Sequence, residues 1–165
     1  VITLRHADIS DLSAVADFLY DVERFYGTVD FPPRQQWEQQ IKSLLFTDAP
    51  AARVLLALED DKPQGFASYI FLWPAAGVSK SLFLKELYVR ETQRRRGVGA
   101  HLMSRLCSIA VESGSSRLEW TTDTDNSDAQ KFYNKLGVSR ASAKVMYRAE
   151  GDALVRLSRM QLGRE

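Results

Sequence analysis

Cysteine is nearly absent from this sequence: Cys107 is the single one in 165 residues, so no internal disulfide can form and a reducing compartment is expected. A charge of one sign is missing as well. With 22 basic residues against 21 acidic ones the formal charge is +1, and no sequence-wide field draws the chain to nucleic acid or to a membrane surface. No apolar run approaches the length of a membrane span, and the N-terminus lacks the basic-then-apolar profile of a signal peptide. The two histidines, His6 and His101, stand near no cysteine or acidic cluster at ligand spacing, so no metal site is expected. Internal repeats and low-complexity tails are also lacking. These absences leave a cytoplasmic globular protein as the expectation, with one domain over residues 1–165 that is long enough to bury a core.

What is present centres on residues 82–99, L-F-L-K-E-L-Y-V-R-E-T-Q-R-R-R-G-V-G. An apolar run long enough for a buried strand carries one carboxylate, Glu86, in its middle. Apolar residues of both parities (Leu82 and Leu84; Phe83, Leu87 and Val89) imply cover on both faces. Glu86 is then costly unless it is solvated through a cleft or paired with a nearby Arg or Lys. After the polar turn at 90–93 and the glycines, Val98, Leu102, Leu106 and Ile109 fall on one helical stripe. A strand feeding a glycine turn that opens a helix is a device for holding an anion. The first N–H groups of a helix have no internal partner, and the helix dipole adds positive potential there. Gly97 and Gly99 would let a phosphate approach the backbone closely. A phosphate cradle beside a buried acid is the expected site.

Around it, residues 1–5 read as a strand and residues 8–10 as helix-start chemistry. Leu12, Val15, Ala16, Leu19 and Val22 keep helical spacing, and Trp37, Ile41, Leu44 and Leu45 form the apolar side of a second helix after the Pro32-Pro33 pair. Residues 54–58 and 66–73 should form an antiparallel hairpin across a breaker-rich turn at 59–64. Residues 81–89 form the next strand, residues 97–112 a helix, and residues 117–122 a strand parallel to the one carrying Glu86 by the strand–helix–strand rule. Residues 123–126 are suited to cap another helix, whose stripe is Ala129, Phe132, Tyr133 and Leu136 and whose end is Gly137. Residues 138–144 read as a weaker strand, and residues 145–148 and 153–157 as a closing hairpin.

Three families of phosphate loop can be compared with the glycine turn. A P-loop needs Lys-Ser/Thr after its last glycine, and none follows here. A dinucleotide loop needs a third glycine where Leu102 stands, although Glu119 lies about the right distance on for a ribose partner. The run Arg94-Arg95-Arg96-Gly97-Val98-Gly99 matches Arg/Gln-x-x-Gly-x-Gly/Ala and resembles the GNAT N-acetyltransferase superfamily. A second match follows at the family's spacing: residues 126–137, N-S-D-A-Q-K-F-Y-N-K-L-G, fit N-x-x-A-x-x-F/L-Y-x-x-L-G. The specific motifs span residues 86–137, and the order of elements extends the resemblance over nearly the whole chain.

The resemblance implies an α/β (α+β) fold with a mixed, mostly antiparallel sheet of six or seven strands. It would hold a splayed parallel pair, the fourth and fifth strands, and about four flanking helices. It implies acetyl-CoA as co-substrate, no metal, a small primary amine or amino sugar as acceptor, and a family in which homodimers are common. Carried over by motif, Glu86 is the general base and Tyr133 the general acid. Leu87, Tyr88, Val89, Arg94, Arg95, Arg96, Gly97, Val98, Gly99, Ala100, Asn126 and Ala129 contact the coenzyme. Tyr26, Trp73, Trp120 and Asp123 are candidates for the acceptor pocket, beside Asp21, Glu23 and Asp30 near the first loop, and each is as well explained by packing, capping or solvation.

The chemistry asks for such groups. An alkyl amine of pKa ~10.4 is neutral in roughly one molecule in two thousand at pH 7. Glu86, partly desolvated, could take its proton directly or through water. A backbone N–H near Leu87 or Val89 would supply the oxyanion donor by analogy with the family. The departing thiolate resembles a thiol of pKa ~8.5 and would take a proton from Tyr133. Transfer is then direct, in a ternary complex, and Cys107 is expected to be packed on its helix rather than nucleophilic. One departure stands out. The polyamine acetyltransferases carry an acid pair before the segment ending Tyr-Val, and here the first of the pair is Lys85, which would repel a polycation. Acetylation of a protein lysine or N-terminus, and a CoA-sensing module without turnover, remain the alternatives.

Overall fold

The unbroken apolar run Val54, Leu55, Leu56, Ala57, Leu58 cannot offer a polar face to water, so its strand needs cover on both sides. In the computed structural model, which describes residues 1–141 and 143–159, that strand is β2 (Arg53–Glu59) and all five residues are buried. It lies between β1 (Ile2–His6) and β3 (Lys62–Leu72), and the sheet continues with β4 (Lys80–Val89) and β5 (Ser115–Trp120). The first four strands pair antiparallel, and β4 pairs with β5 in parallel, as expected. The described residues hold five strands instead of six or seven.

One face is covered by α1 (Leu12–Phe25) and α2 (Arg34–Leu45). Val15, Phe18, Val22 and Ile41 pack there against Val54, Leu56, Leu58 and Phe66. The opposite face is covered by α3 (Val98–Glu112), which touches all five strands and buries Val98, Leu102, Leu106 and Ile109, the stripe read from the sequence. Cys107 falls off that stripe and is exposed rather than packed.

The 3-10 turn Ile9–Asp11 that leads into α1 is held by reciprocal caps. The Asp8 carboxylate accepts from the Ser10 N–H at 2.8 Å, and the Asp11 carboxylate accepts from the Asp8 N–H at 2.9 Å. Asp11 is buried, and Arg5 meets both its oxygens, at 2.6 and 2.8 Å. That fork is what makes burial of a carboxylate tolerable there, and it holds the Asp11 pKa below the ordinary value.

The hairpin turn between β2 and β3 is shorter than the breaker residues suggested. Asp60 and Asp61 alone make it, at φ +50° and +58°, the twist that matches a two-residue hairpin. Lys62, Pro63 and Gln64 therefore belong to β3, with a register shift between Ala57 and Leu58 where proline would otherwise break the ladder.

These elements form one compact unit, Val1–Asn126, and a second begins at Ser127. The second holds α4 (Ser127–Lys135) and α5 (Gly151–Ser158). The expected closing hairpin is not there. Residues 145–148 form no strand, and residues 153–157 lie inside α5, because Ala153, Leu154 and Leu157 suit helical spacing as well as Ala153, Val155 and Leu157 suit alternation. The weaker strand read over 138–144 is likewise missing among its described residues, Ser142 lying outside them. Five α-helices are described instead of four.

Candidate active site

Strand β4 is pinned along one edge to β3, and the pairing contains an irregularity that decides where Glu86 points. Ser68 stands opposite Glu86 and Tyr69 opposite Leu84, so Lys85 has no partner and forms a bulge. Residues directly opposite in an antiparallel pair share a face. Phe66 packs beneath α1 and stands opposite Tyr88, so by alternation Ser68 and Glu86 share that face. Tyr69 and Leu84 take the α3 face. In an unbulged strand Leu84 and Glu86 would sit together. The extra residue turns Glu86 over to the side where α1 ends.

There the carboxylate is half-buried, and burial pushes its pKa above the ordinary carboxylate value. The Lys85 ammonium and a hydrogen bond from the Leu87 N–H pull it back, while the Asp123 and Glu23 carboxylates push it further up. The Tyr26 hydroxyl is raised by the same neighbours: burial first, then Glu86 and Asp123. Thus α1 (Glu23), the residue after it (Tyr26), β4 (Glu86) and the loop after β5 (Asp123) converge electrostatically. Glu23 also accepts from the Thr28 hydroxyl at 2.8 Å. Such a set is suited to a cationic or proton-donating guest. Asp21 and Asp30, grouped with Glu23 and Tyr26 on sequence grounds, do not join it. Asp21 acts electrostatically on the Tyr88 hydroxyl and lies 3.9 Å from Arg90, and Asp30 is exposed.

The other edge of β4 opens beside Glu86. Pairing with β5 runs from Lys80↔Ser115 to Leu84↔Trp120 and stops, while β4 continues to Val89. From Lys85 onward that edge has no strand partner among the described residues. Its backbone N–H groups can therefore meet a guest. Leu87, Tyr88 and Val89 lie on this free stretch. Tyr88 is itself tied inward: its ring meets Phe18 edge-on at 6.0 Å, and the Asp21 carboxylate acts on its hydroxyl.

The chain then turns through Glu91–Gln93 into α3, with Arg95 at φ +63° and Gly97 at φ +86°. Gly97 occupies the cap position and no side chain caps the helix, so the N–H groups of its first turn face out unclaimed by any cap. The three arginines divide. Arg96 pairs with Glu59 at 3.1 Å and also bonds Gln93. Arg94 donates to the Val89 carbonyl at 3.2 Å, and its guanidinium lies 5.9 Å from the Tyr88 ring centre. Arg95 has no carboxylate within ion-pair distance among the described residues. Val98 is buried and anchors the turn. Gly65 on β3 makes room for it, since a Cβ there would lie 2.8 Å from the Tyr88 carbonyl oxygen and 3.2 Å from Val98 Cγ1. Gly99 and Ala100 complete the first turn of the helix.

Among the remaining sequence candidates, Trp120 ends β5 opposite Leu84, at the mouth of the split. Trp73 is not brought to it. It follows β3 at the far end, beyond the Leu72↔Ser81 pair, is exposed, and donates to the Val78 carbonyl at 3.3 Å. Asn126 is half-buried at the end of the first unit, with its N–H on the Asp123 carbonyl at 3.1 Å. Ala129 and Tyr133 lie on α4 in the second unit, both half-buried, with the Tyr133 ring 5.1 Å from that of Phe132. Among the described residues no group of three His, Cys, Asp or Glu could hold a metal ion, and no helix is long and apolar enough to cross a membrane. Sequence reasoning missed the bulge. Its one signal was Lys85-Glu86 interrupting the apolar parity of the strand.

A sequence model of the Acetyltransferase (GNAT) family matches residues 16–138. Among curated relatives, an L-ornithine N5-acetyltransferase of Arabidopsis thaliana is 27% identical over 105 residues, 64% of this chain and 46% of that protein. A D-amino-acid N-acetyltransferase of Saccharomyces cerevisiae is 36% identical over 87 residues, 53% of each. The chain spans about half the length of these relatives. Among solved structures, an integron cassette protein from the mobile metagenome of V. cholerae superposes with TM-score 0.89 at 30% identity, covering 96% of this chain and 98% of that one.

Proposed function

The chain belongs to the GNAT acetyltransferase family, and from that premise we propose that it moves the acetyl group of acetyl-CoA to the primary amine of a small molecule by direct attack in a ternary complex. One observation carries the reading. The β4–β5 pairing ends at Leu84↔Trp120, just before a half-buried Glu86, and the freed strand leads into an uncapped helix end.

The residues present fit the coenzyme. The uncapped first turn of α3 offers N–H groups and a positive dipole end to a diphosphate, and a glycine at φ +86° keeps side-chain bulk out of the turn. Arg95, and Arg94 in part, add charge at the rim, whereas Arg96 is engaged by Glu59. The unpaired edge beyond Leu87, whose own N–H already serves the Glu86 carboxylate, offers backbone donors to an extended pantetheine arm and to the acyl oxygen. When bound, acetyl-CoA supplies an activated acyl carbon.

This chain's own groups supply the proton transfers. A cationic amine is drawn in by Glu23, Glu86 and Asp123, and must lose a proton to become a nucleophile. Glu86 takes it, directly or through a water, and its raised pKa brings it nearer the operating pH of a general base. Tyr133 is the proposed donor to the departing thiolate, and Asn126 and Ala129 are proposed coenzyme contacts. Tyr26, Trp120 and Asp123 are the proposed walls of the acceptor pocket. Lys85, exposed beside Glu86, disfavours long polycations and leaves compact amines such as basic amino acids as the acceptor class. Among the relatives, one is named for the acetylation of L-ornithine and another for that of D-amino acids.

The test is a thiol-release assay with acetyl-CoA across a panel of basic amino acids, diamines, amino sugars and a lysine peptide. Amine-dependent release with a compact acceptor supports the reading. Release with the peptide alone would move the acceptor to protein, and acetyl-CoA binding without release for any amine would leave a coenzyme-sensing module.

A further inference from the structure

A second polar cleft, of about 420 Å³, opens on the α3 face of the sheet at the end away from Glu86. It lies across the sheet from Glu86, since Tyr69 takes the α3 face and Glu86 the other, and its outer wall at Lys80 is six residues along β4 from Glu86, roughly 20 Å at ~3.3 Å per residue. The polar groups that line it are His6, Arg53, Tyr69, Lys80, Arg105 and Glu112, from β1, β2, β3, β4 and α3, with Ser113 just after α3.

Its charge is lopsided. Arg53, Lys80 and Arg105 bring three cations to one opening, and Glu112 is the one carboxylate lining it, already held by Arg105 at 2.8 Å. Arg53 and Lys80 have no carboxylate within ion-pair distance among the described residues, although the chain has 21 acidic side chains and Arg5 and Arg96 each meet one and Arg34 meets two. The basic groups are also fixed in place. The Tyr69 side chain is fully buried, its hydroxyl is bonded to His6 Nε2 at 2.7 Å, and the Arg53 guanidinium is near enough to act on it electrostatically. The Lys80 ammonium sits 4.5 Å from the centre of the Phe71 ring. Both Arg53 and Arg105 depress the His6 pKa, after burial, so both guanidinium groups are close enough to His6 for their charge to reach the ring. Like charges gathered on low-dielectric walls repel one another, and an anion between them reverses the sign of that energy.

We propose that this cleft is a second ligand site, for a small dianion carrying a phosphate ester or a pair of carboxylates. Arg53, Lys80 and Arg105 hold its charge, and the His6–Tyr69 pair forms its polar floor. Three cations against one carboxylate leave two positive charges to be met, which is why a dianion fits better than a monocarboxylate.

The experiment is a binding titration of the full chain with inorganic phosphate and, separately, succinate, followed by calorimetry and thermal shift. Excess CoA is present throughout so that the turn at Gly97 is not the site being read. Saturable binding of either anion is expected, with Kd raised about tenfold or more in the Arg53→Gln, Lys80→Gln double variant, the size expected for losing charge-assisted hydrogen bonds. CoA affinity should be unchanged. Binding of phosphate alone assigns phosphate esters, and equal binding of succinate assigns dianions generally. Arg105→Gln is the second variant, read the same way should the double variant fail to fold. The proposal is overturned by no saturable binding in the wild type, or by anion binding that these variants leave intact.

Discussion

A carboxylate in an apolar strand lowers stability when it ionises and cannot act as a base until it does. Glu86 sits in that conflict, half-buried, its pKa raised by burial and by Asp123 and Glu23. The sign is definite. A raised folded-state pKa gives stability that is present below the ordinary carboxylate value and lost as pH rises through the folded one. Glu86→Gln should therefore melt higher than wild type at pH 7 and lose that advantage at acid pH, while kcat/KM falls about 10²-fold, as for loss of a general base. Part of the rate should return at high pH, where the amine deprotonates unaided. Thermal melts and initial rates on the same preparations check both halves, and unchanged turnover would remove Glu86 as base. Tyr133→Phe separates the other proton. It should lower kcat about 10²-fold with acetyl-CoA affinity kept, and a wild-type rate would remove the acid role. Both residues come from the resemblance, and their roles are proposals that these variants test. The turning of Glu86 toward the α1 side was not legible in the sequence, because it depends on Lys85 having no partner on β3.

Within the strand–turn–helix element, what the sequence could and could not convey divides sharply. The stripe from Val98 to Ile109, the parallel pair and the glycine turn are local patterns, and each was readable. The end of β4–β5 pairing at Leu84 is a property of two strands at once, so no single segment announces it. The same holds for the arginines, since Arg96 is drawn to Glu59, 37 positions away in the chain. Gly97 is the residue on which the turn depends. Its φ of +86° is a conformation in which a β-carbon costs about 1–2 kcal/mol, although a Cβ would meet nothing closer than the His101 ring at 3.6 Å. Backbone conformation, not crowding, is therefore what Gly97→Ala tests. It should lower stability by about 1 kcal/mol and weaken acetyl-CoA about tenfold, and Gly97→Asn, which tolerates left-handed backbone, should lose less of both. Equal behaviour of the two variants in denaturation and calorimetry would mean that the turn conformation does not matter to coenzyme binding.

Across the whole molecule, legibility followed how strongly each stretch commits to one period. The apolar run of β2 and the stripe of α1 admit one reading, and the strands and helices of the first unit came out in order. The segment A-L-V-R-L at 153–157 satisfies both an alternating and a helical pattern, and the structure makes it α5. Family membership added the expectation of a closing hairpin, which pulled that reading the wrong way. With the proposed coenzyme site, a backbone turn and an unpaired strand edge rather than a ring of side chains, the folded molecule should be stabilised by the coenzyme itself. A ligand that binds only the folded chain adds about 2.7 kcal/mol at one hundred times its Kd. For a chain of 165 residues, with about 2–4 °C per kcal/mol, that is a rise in Tm of roughly 5–10 °C. Differential scanning calorimetry with acetyl-CoA should show it. The rise should survive Glu86→Gln, which leaves the turn intact, and shrink in Gly97→Ala. A shift of equal size in all three proteins would place the coenzyme somewhere other than this turn.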